Sequence, residues 1–449
     1  MSTQRKDERS LKRFFCAAMV FWLLLVSGCD LKKAPPERDV KPITIKVMGS
    51  DFNTFYSRYG AVYTALHPNV HFAFIPRSPR GISDIAQYVS EQSPDVLLLS
   101  SSEYEELANR GLLYDLDMLI RKDKYDLDGT IAPVIQYLRN LGGGSIYGLT
   151  PVFLSRALFY NKDLFMQYQV PLPTDWMSWS DVLLLTRRFP ADGNEHQRIY
   201  GLMISAYSAS PFEFAILIGG SMGLDYVDGT RMQMTIDTPL WKEVFQLVLD
   251  TMKSGVLYQG GPTLQPGMTY EETLKQDPFI SGKVAMTVAA SDMMVKLQNI
   301  PNGVTPPRWD IVSAPGGAGG MEIGDIFAIY NGSTQTEASW DFIRYVNGDD
   351  FADVYSRNPT LGYLTTRQKY LKDEGHHVEA FYMTEPLMAK NRKSVPQQFY
   401  IRFASMAEKE LQKAYDGSQT IDEALAAMQN QGQQLLLEEL ERKKSIDAD

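Results

Sequence analysis

The sequence predicts an α/β fold made of parallel β-α-β units, and three stretches near its start carry that expectation. Ile43-Thr44-Ile45-Lys46-Val47-Met48 alternates β-branched with other residues and runs into Gly49-Ser50-Asp51, a strand ending in a loop. Residues 55–66 place Phe55, Tyr59, Val62, Tyr63 and Leu66 at helical spacing and stop at His67-Pro68-Asn69. Residues 70–75 alternate again, residues 82–89 read as a helix, and Asp95-Val96-Leu97-Leu98-Leu99 is the apolar run of a strand buried on both faces. Strands alternating with helices imply a parallel sheet. In such sheets ligands lie beyond the carboxyl ends of the strands. That rule points to Ser50, Asp51 and Phe52, and to Ser100, Ser101, Ser102 and Glu103.

Composition narrows the function. The chain has 449 residues and a formal charge of -10, and beyond its first 28 residues it lacks a block of clustered Lys and Arg, so nucleic acid is not an expected partner. Its length allows two or three domains. Cys16 and Cys29 are its two cysteines, which leaves neither a disulfide framework nor a thiol-based zinc site. No cofactor or metal is expected.

The N-terminus reads as an export signal. Arg5, Lys6, Arg9, Lys12 and Arg13 precede an apolar segment from Phe14 to Val26, followed by Ser27-Gly28-Cys29. About 13 apolar residues fall short of the ~20 needed to span a bilayer, so a secretory signal fits better than a membrane helix. Val26-Ser27-Gly28-Cys29 resembles the lipobox of bacterial lipoproteins, in which the cysteine is acylated and becomes the new N-terminus. That resemblance implies cleavage of residues 1–28, lipidation at Cys29, and a location on the outer face of the cell membrane. Cleavage would remove five basic and two acidic residues, leaving a formal charge of -13. Residues 29–42 include Lys32, Lys33, Pro35, Pro36, Glu37 and Arg38 and read as a flexible tether. No later run is apolar and long enough to be a span.

Further motifs, in order, carry a second resemblance. Pro94 to Leu99 leads to Tyr104-Glu105-Glu106-Leu107-Ala108-Asn109-Arg110-Gly111-Leu112-Leu113. Ile146-Tyr147-Gly148-Leu149-Thr150 is followed by Leu158-Phe159-Tyr160-Asn161-Lys162-Asp163-Leu164-Phe165. Then come Phe279-Ile280-Ser281-Gly282-Lys283-Val284-Ala285-Met286, Glu337-Ala338-Ser339-Trp340-Asp341-Phe342-Ile343 and Thr420-Ile421-Asp422-Glu423-Ala424-Leu425. The ordered set resembles the extracellular solute-binding proteins of ABC transporters, in the branch that includes maltose-binding protein. Thr420 with Glu423 is also a capping box on physical grounds.

The resemblance implies a two-lobed periplasmic-binding-protein-like fold of type II, each lobe a mixed sheet flanked by helices, with ligand in the cleft between lobes. The first lobe is expected at 43–150 plus 312–368 and the second at 154–308 plus 369–445. Crossings are expected near 150–153 and 312–315. The chain would be a monomer without enzymatic activity that closes over a small polar solute, most simply a sugar, and delivers it to ABC permease subunits. A ligand-sensing lipoprotein that signals to a membrane receptor is the alternative.

Candidate ligand contacts combine hydroxyl-matching polar groups with aromatic faces. They are Ser50, Asp51, Phe52, Ser100, Ser101 and Glu103 in the first lobe, with Glu322 and Asp325 on the returning segment. Phe153 and Arg156 lie on the first crossing, and Tyr207 and Asp292 lie in the second lobe. Departures from the family pattern occur at Ser291-Asp292-Met293, where an aromatic is common, and at Thr150, where proline is. Trp179 and Trp340 are expected to pack, while Trp176, Trp241 and Trp309 stay open between packing and sugar platform. Gly219-Gly220-Ser221-Met222-Gly223 matches G-x-S-x-G, but a nucleophile elbow needs a strand before the serine, and residues 211–218 read as a helix. Gly316-Gly317-Ala318-Gly319-Gly320 lacks the Lys-Ser/Thr of a phosphate loop, and His376-His377 lacks a spaced third ligand.

Overall fold

The computed structural model describes residues 41–77, 84–193, 198–204, 210–260, 267–317, 319–357, 362–371, 375–383 and 395–448. The expected export signal, Cys29, most of the tether and Tyr207 lie outside them.

Alternation at the start of the chain does build a strand, Ile43–Gly49, parallel to Val70–Pro76 with Ile45 opposite Phe72 and Val47 opposite Phe74. On its other side it pairs in parallel with Val96–Leu99, whose four residues are all buried. Ile326–Ile329 pairs antiparallel to Val96–Leu99 and to Gly148–Leu149, which completes a five-stranded mixed sheet. Asp95 begins the central strand almost fully buried, and its carboxylate accepts from the Lys46 amide and the Ser333 hydroxyl. Those two bonds satisfy a charge that would otherwise be costly to bury.

The first helical segment differs from its expected face. Phe52–Phe55 continues through the π-helical turn Tyr56–Gly60 into Ala61–Leu66. The wider turn keeps Phe55, Tyr59 and Tyr63 in line, four residues apart, against Phe72, Phe327 and Phe342. Val62 and Leu66 turn outward and are exposed. The next helix is Ile85–Gln92, later than residues 82–89, because the Asp84 carboxylate caps it by accepting from the Ala86 and Gln87 amides.

A second five-stranded sheet orders Leu257–Tyr258, Tyr200–Met203, Val284–Ala290, Arg156–Asn161 and Trp309–Ser313. Helices Pro211–Ser221, Pro239–Lys253, Gln397–Tyr415 and Ile421–Ala448 pack beside it around Phe212, Trp241, Phe245, Phe399 and Phe403. Thr420 and Glu423 form the expected capping box, with the Thr420 amide donating to Glu423 Oε2 at 2.7 Å and the Glu423 amide to Thr420 Oγ1 at 3.2 Å. No helix among the described residues is long and apolar enough to cross a membrane.

A three-stranded sheet lies between the two large ones. Val152–Leu154 is its centre, flanked by Glu322–Ile323 and Leu364–Thr365, both antiparallel to it. Val312 and Ser313 do not begin the return crossing, because they pair with Leu158 and Ala157 inside the second sheet. One hydrophobic cluster runs through this junction, from Leu97 and Ile326 through Phe153 to Phe159 and Met293.

Candidate functional site

The carboxyl ends of the first sheet converge on one cavity. The strand Val70–Pro76 hands over to Arg77, whose amide donates to the Gly49 carbonyl at 2.5 Å. The central strand ends at Leu99, and Ser100 caps the helix Ser101–Asn109 in a capping box with Glu103. The Glu103 carboxylate accepts from the Ser100 amide at 2.8 Å and from Arg77 Nη1 at 2.6 Å. Glu103 therefore serves as helix cap and arginine partner together. A cavity of about 260 Å³ lies here, lined by Ser100, Asp325, Arg58, Arg77, Tyr355 and Tyr363 among others.

Asp325 is the distinctive group of this cavity. It joins the crossing strand Glu322–Ile323 to Ile326–Ile329 of the first sheet. Its carboxyl has no hydrogen-bond partner among the described residues, and burial raises its pKa against the opposing pull of Arg77 and Arg58. An acceptor left waiting in a concave site is what a ligand hydroxyl or ammonium group can satisfy. Arg58 and Arg77 supply donors beside it, and Tyr355 and Tyr363 supply rings.

Among the expected contacts, Ser100 and Asp325 line this cavity. Ser50 is exposed on the adjoining loop, and Asp51 caps the next helix by accepting from the Thr54 amide at 2.7 Å, which holds its carboxyl below the usual range. Phe52 keeps an exposed face while stacking on Tyr56 at 5.5 Å. Ser101 begins its helix half-buried. Glu322 is exposed and accepts from the Tyr363 hydroxyl at 3.4 Å.

Arg156 is exposed at the start of its strand, and its side chain makes no hydrogen bond among the described residues. Asp292 pairs with Lys296 one turn along its helix at 2.9 Å. Phe153 has no exposed surface, so it is a core residue of the junction and offers no face to a solute.

The other four lining residues named above were not anticipated as contacts. Arg77 follows from the same carboxyl-end rule, applied to the second strand. Arg58, Tyr355 and Tyr363 carry no such signal, because a helix face and a returning segment bring them in.

The Ser291 amide extends the second sheet's ladder by donating to the Ser155 carbonyl at 2.9 Å, and its hydroxyl reaches the segment before Leu364–Thr365 by donating to the Gly362 carbonyl at 2.7 Å. Gly362 has a φ of +75°, and a Cβ there would come within 2.2 Å of the Asp292 backbone, so only glycine fits.

The rejected motifs take ordinary structural roles. Ser221 closes the helix Pro211–Ser221 and donates to the Ile218 carbonyl at 2.6 Å, with no strand leading into it. Ser221→Ala is expected to leave any ester hydrolysis by the purified protein at its background rate; a loss tracking the substitution would restore a nucleophile reading. His376 stacks on Trp309 at 3.6 Å, and His377 Nε2 lies 3.0 Å from Asp175. No cluster of three or more His, Cys, Asp or Glu among the described residues is arranged to hold a metal. Trp179, Trp241, Trp309 and Trp340 are buried, whereas Trp176 is exposed.

Comparison with known proteins fits this architecture. The bacterial extracellular solute-binding protein family matches residues 49–352. A binding protein of Brucella abortus is 24% identical over 237 residues, covering 51% of this chain and 53% of the relative. The chain thus spans about half the length of the curated relatives it matches. The sugar-binding protein MalE from Xanthomonas citri superposes with a TM-score of 0.58 at 17% identity, covering 91% of this chain and all of that one. A sugar transporter from Rhizobium etli, in an open conformation, superposes at 0.56 with 20% identity, covering 87% and 99%. These likenesses show a two-lobed fold of mixed sheets flanked by helices. The chain belongs to the bacterial extracellular solute-binding proteins, a family whose members bind rather than catalyse.

Proposed function

We propose that this protein captures a carbohydrate between its lobes and delivers it to the permease of an ABC importer. The observation that carries the reading is the Asp325 carboxyl, with no hydrogen-bond partner among the described residues, in a cavity that also offers Arg58, Arg77 and two tyrosine rings. Sugars present hydroxyl donors and acceptors around a ring with an apolar C–H face. Carboxylate, guanidinium and aromatic groups match those features. The sugar-binding and sugar-transporting character of the structural neighbours supports the same class.

In this proposal the lobes are the units built on the two five-stranded sheets, and the three crossing strands act as the hinge. Closure about such a hinge gives a permease two distinguishable forms, loaded and empty. The protein acts as a monomer, exported and lipidated at Cys29, and the segment before Ile43 tethers it near its permease at high effective concentration. A thermal-shift screen over sugars, amino acids and short peptides tests the ligand class. A sugar should raise the melting temperature, since it binds the native state alone. A peptide or amino acid that does so while every sugar fails would overturn the carbohydrate assignment.

A further inference from the structure

The charges that line the Asp325 cavity do not balance. Two guanidinium groups, Arg58 and Arg77, face one carboxyl, Asp325. Both cations pull on the Asp325 carboxyl, so all three side chains lie within reach of one small ligand. Each of the three is half-buried, as are Tyr355 and Tyr363, so each keeps surface that a ligand can cover.

The two arginines are not equally committed. Glu103, which lies outside the lining, accepts from Arg77 Nη1 at 2.6 Å. Arg77 Nε is buried and has no hydrogen-bond partner among the described residues. Arg58 meets the Tyr59 hydroxyl and has no carboxylate within ion-pair distance among the described residues. A half-buried cation without a counter-ion is costly, and a second guanidinium with an idle N–H sits beside it. A ligand hydroxyl would occupy the N–H groups but leave the charge standing. A carboxylate answers both needs, because its two oxygens match the planar fork of a guanidinium.

Asp325 restricts what may carry that carboxylate. It accepts hydrogen bonds and repels a second negative group placed against it, so the ligand must present a donor there and its acid group toward the arginines. Tyr355 and Tyr363 offer rings, which suit the C–H face of a sugar.

We infer that the solute taken here is an acidic sugar, a uronic acid whose carboxylate pairs with Arg58 beside Arg77 while a ring hydroxyl donates to Asp325. This rests on the carbohydrate reading above and adds a charge to it. The site separates a sugar acid from the neutral sugar of the same ring, and Arg58 is the residue that decides.

Calorimetric titration of the full chain with glucuronate and galacturonate, the methyl ester of each, glucose and galactose tests the inference. An ester keeps the ring and its hydroxyls and removes the charge. For whichever ring binds, the acid should bind roughly tenfold or more tightly than its ester and its neutral sugar. Arg58→Gln should abolish that preference, and Arg58→Lys, which keeps the charge without the fork, should retain part of it. Should Arg58→Gln fail to fold, the comparison of acid with ester in the wild type still decides. Equal binding of acid and ester, or a preference that survives Arg58→Gln, would overturn the acidic-sugar assignment while leaving carbohydrate capture intact. Binding of glucose 6-phosphate without either uronate, or binding by none of these sugars, would overturn it as well. An amino acid that binds where every sugar and sugar acid fails would remove both readings together.

Discussion

Removing Asp126 and Asp349 together, as Asp126→Ala with Asp349→Ala, should destabilise the protein by about 3–5 kcal/mol, because it strands a buried cation. The cation is Arg367, whose side chain is 5% exposed. Its Nη2 lies 2.7 Å from Asp126 and its Nε 2.9 Å from Asp349. Its Nη1 donates to the Asp126 carbonyl at 2.5 Å and to the Thr130 hydroxyl at 3.2 Å, and the guanidinium lies over the Tyr125 ring. A Cβ at position 129 would sit 2.5 Å from Nη2, so Gly129 is the residue that lets the arginine in.

Replacing the arginine itself should cost less. Arg367→Met keeps most of the volume and leaves two carboxylates that already reach water, at 61% and 38% exposure. The double alanine variant should therefore be the less stable of the two in chemical denaturation. If the methionine variant proves the less stable, the ion cluster is not what holds this segment.

The acid limb follows from the same contacts. Arg367 holds the Asp126 carboxyl below its usual pKa; Lys369 and Arg367 do the same for Asp349 against the opposing effect of burial. Depressed carboxylates add stability that is present above their unfolded pKa of about 4 and is lost as pH falls through the folded values. Other depressed carboxylates, Asp84, Asp163 and Asp310 among them, also lose stability in acid, so the loss should be smaller in the double variant than in the wild type.

The location gives this cluster its functional weight. The Ile131 amide donates to the Thr366 carbonyl and the Gln368 amide to the Gly129 carbonyl, so the segment after Leu364–Thr365 is fastened here to the loop before the helix Ala132–Leu141. A few residues later, the His377 amide donates to the Asp310 carboxylate of the second sheet. The second anchor, unlike the first, is thus on the second sheet.

Asp325→Asn should act in opposite directions on stability and on binding. Burial raises the Asp325 carboxyl pKa, so its ionised form is less favourable in the folded protein than in the unfolded chain. Below the unfolded value of about 4 both states are protonated and the substitution changes little. As pH rises through the folded value, the wild type loses stability that asparagine keeps, so at pH 7 the unliganded variant should melt higher. Ligand affinity should fall by about 10- to 100-fold, because a hydrogen bond to a charged group contributes about 1.5–3 kcal/mol. Melting curves from pH 4 to 8 and titration with the best sugar would measure both effects. A variant that binds as well as the wild type would remove Asp325 from the site.

Much of this protein is legible along the chain because it rests on short-range patterns. Val96–Leu99 is a buried central strand because four successive apolar residues suit a strand covered on both faces, and Thr420 with Glu423 caps the last helix because the interacting groups are three residues apart. Ser100 could be placed because the carboxyl-end rule needs only strand positions, whereas Asp325 sits before its strand and is expected only as part of the returning segment. Phe153 shows where such reasoning stops. It lies on the strand Val152–Leu154, but which way it faces depends on partners far along the chain, and these bury it.

The sequence by itself determined the α/β class, the alternation of strands and helices near its start and the family to which the chain belongs. Periodicity, capping and motif order are local properties that survive without a partner. Only the tertiary structure decided that Arg58, Arg77, Asp325, Tyr355 and Tyr363 share one cavity, that a π-helical turn rotates Val62 and Leu66 outward, and that the strand returning through the crossing is Glu322–Ile323. Those outcomes depend on contacts between residues up to about 300 positions apart, where the geometry is set by how sheets, helices and crossings pack together.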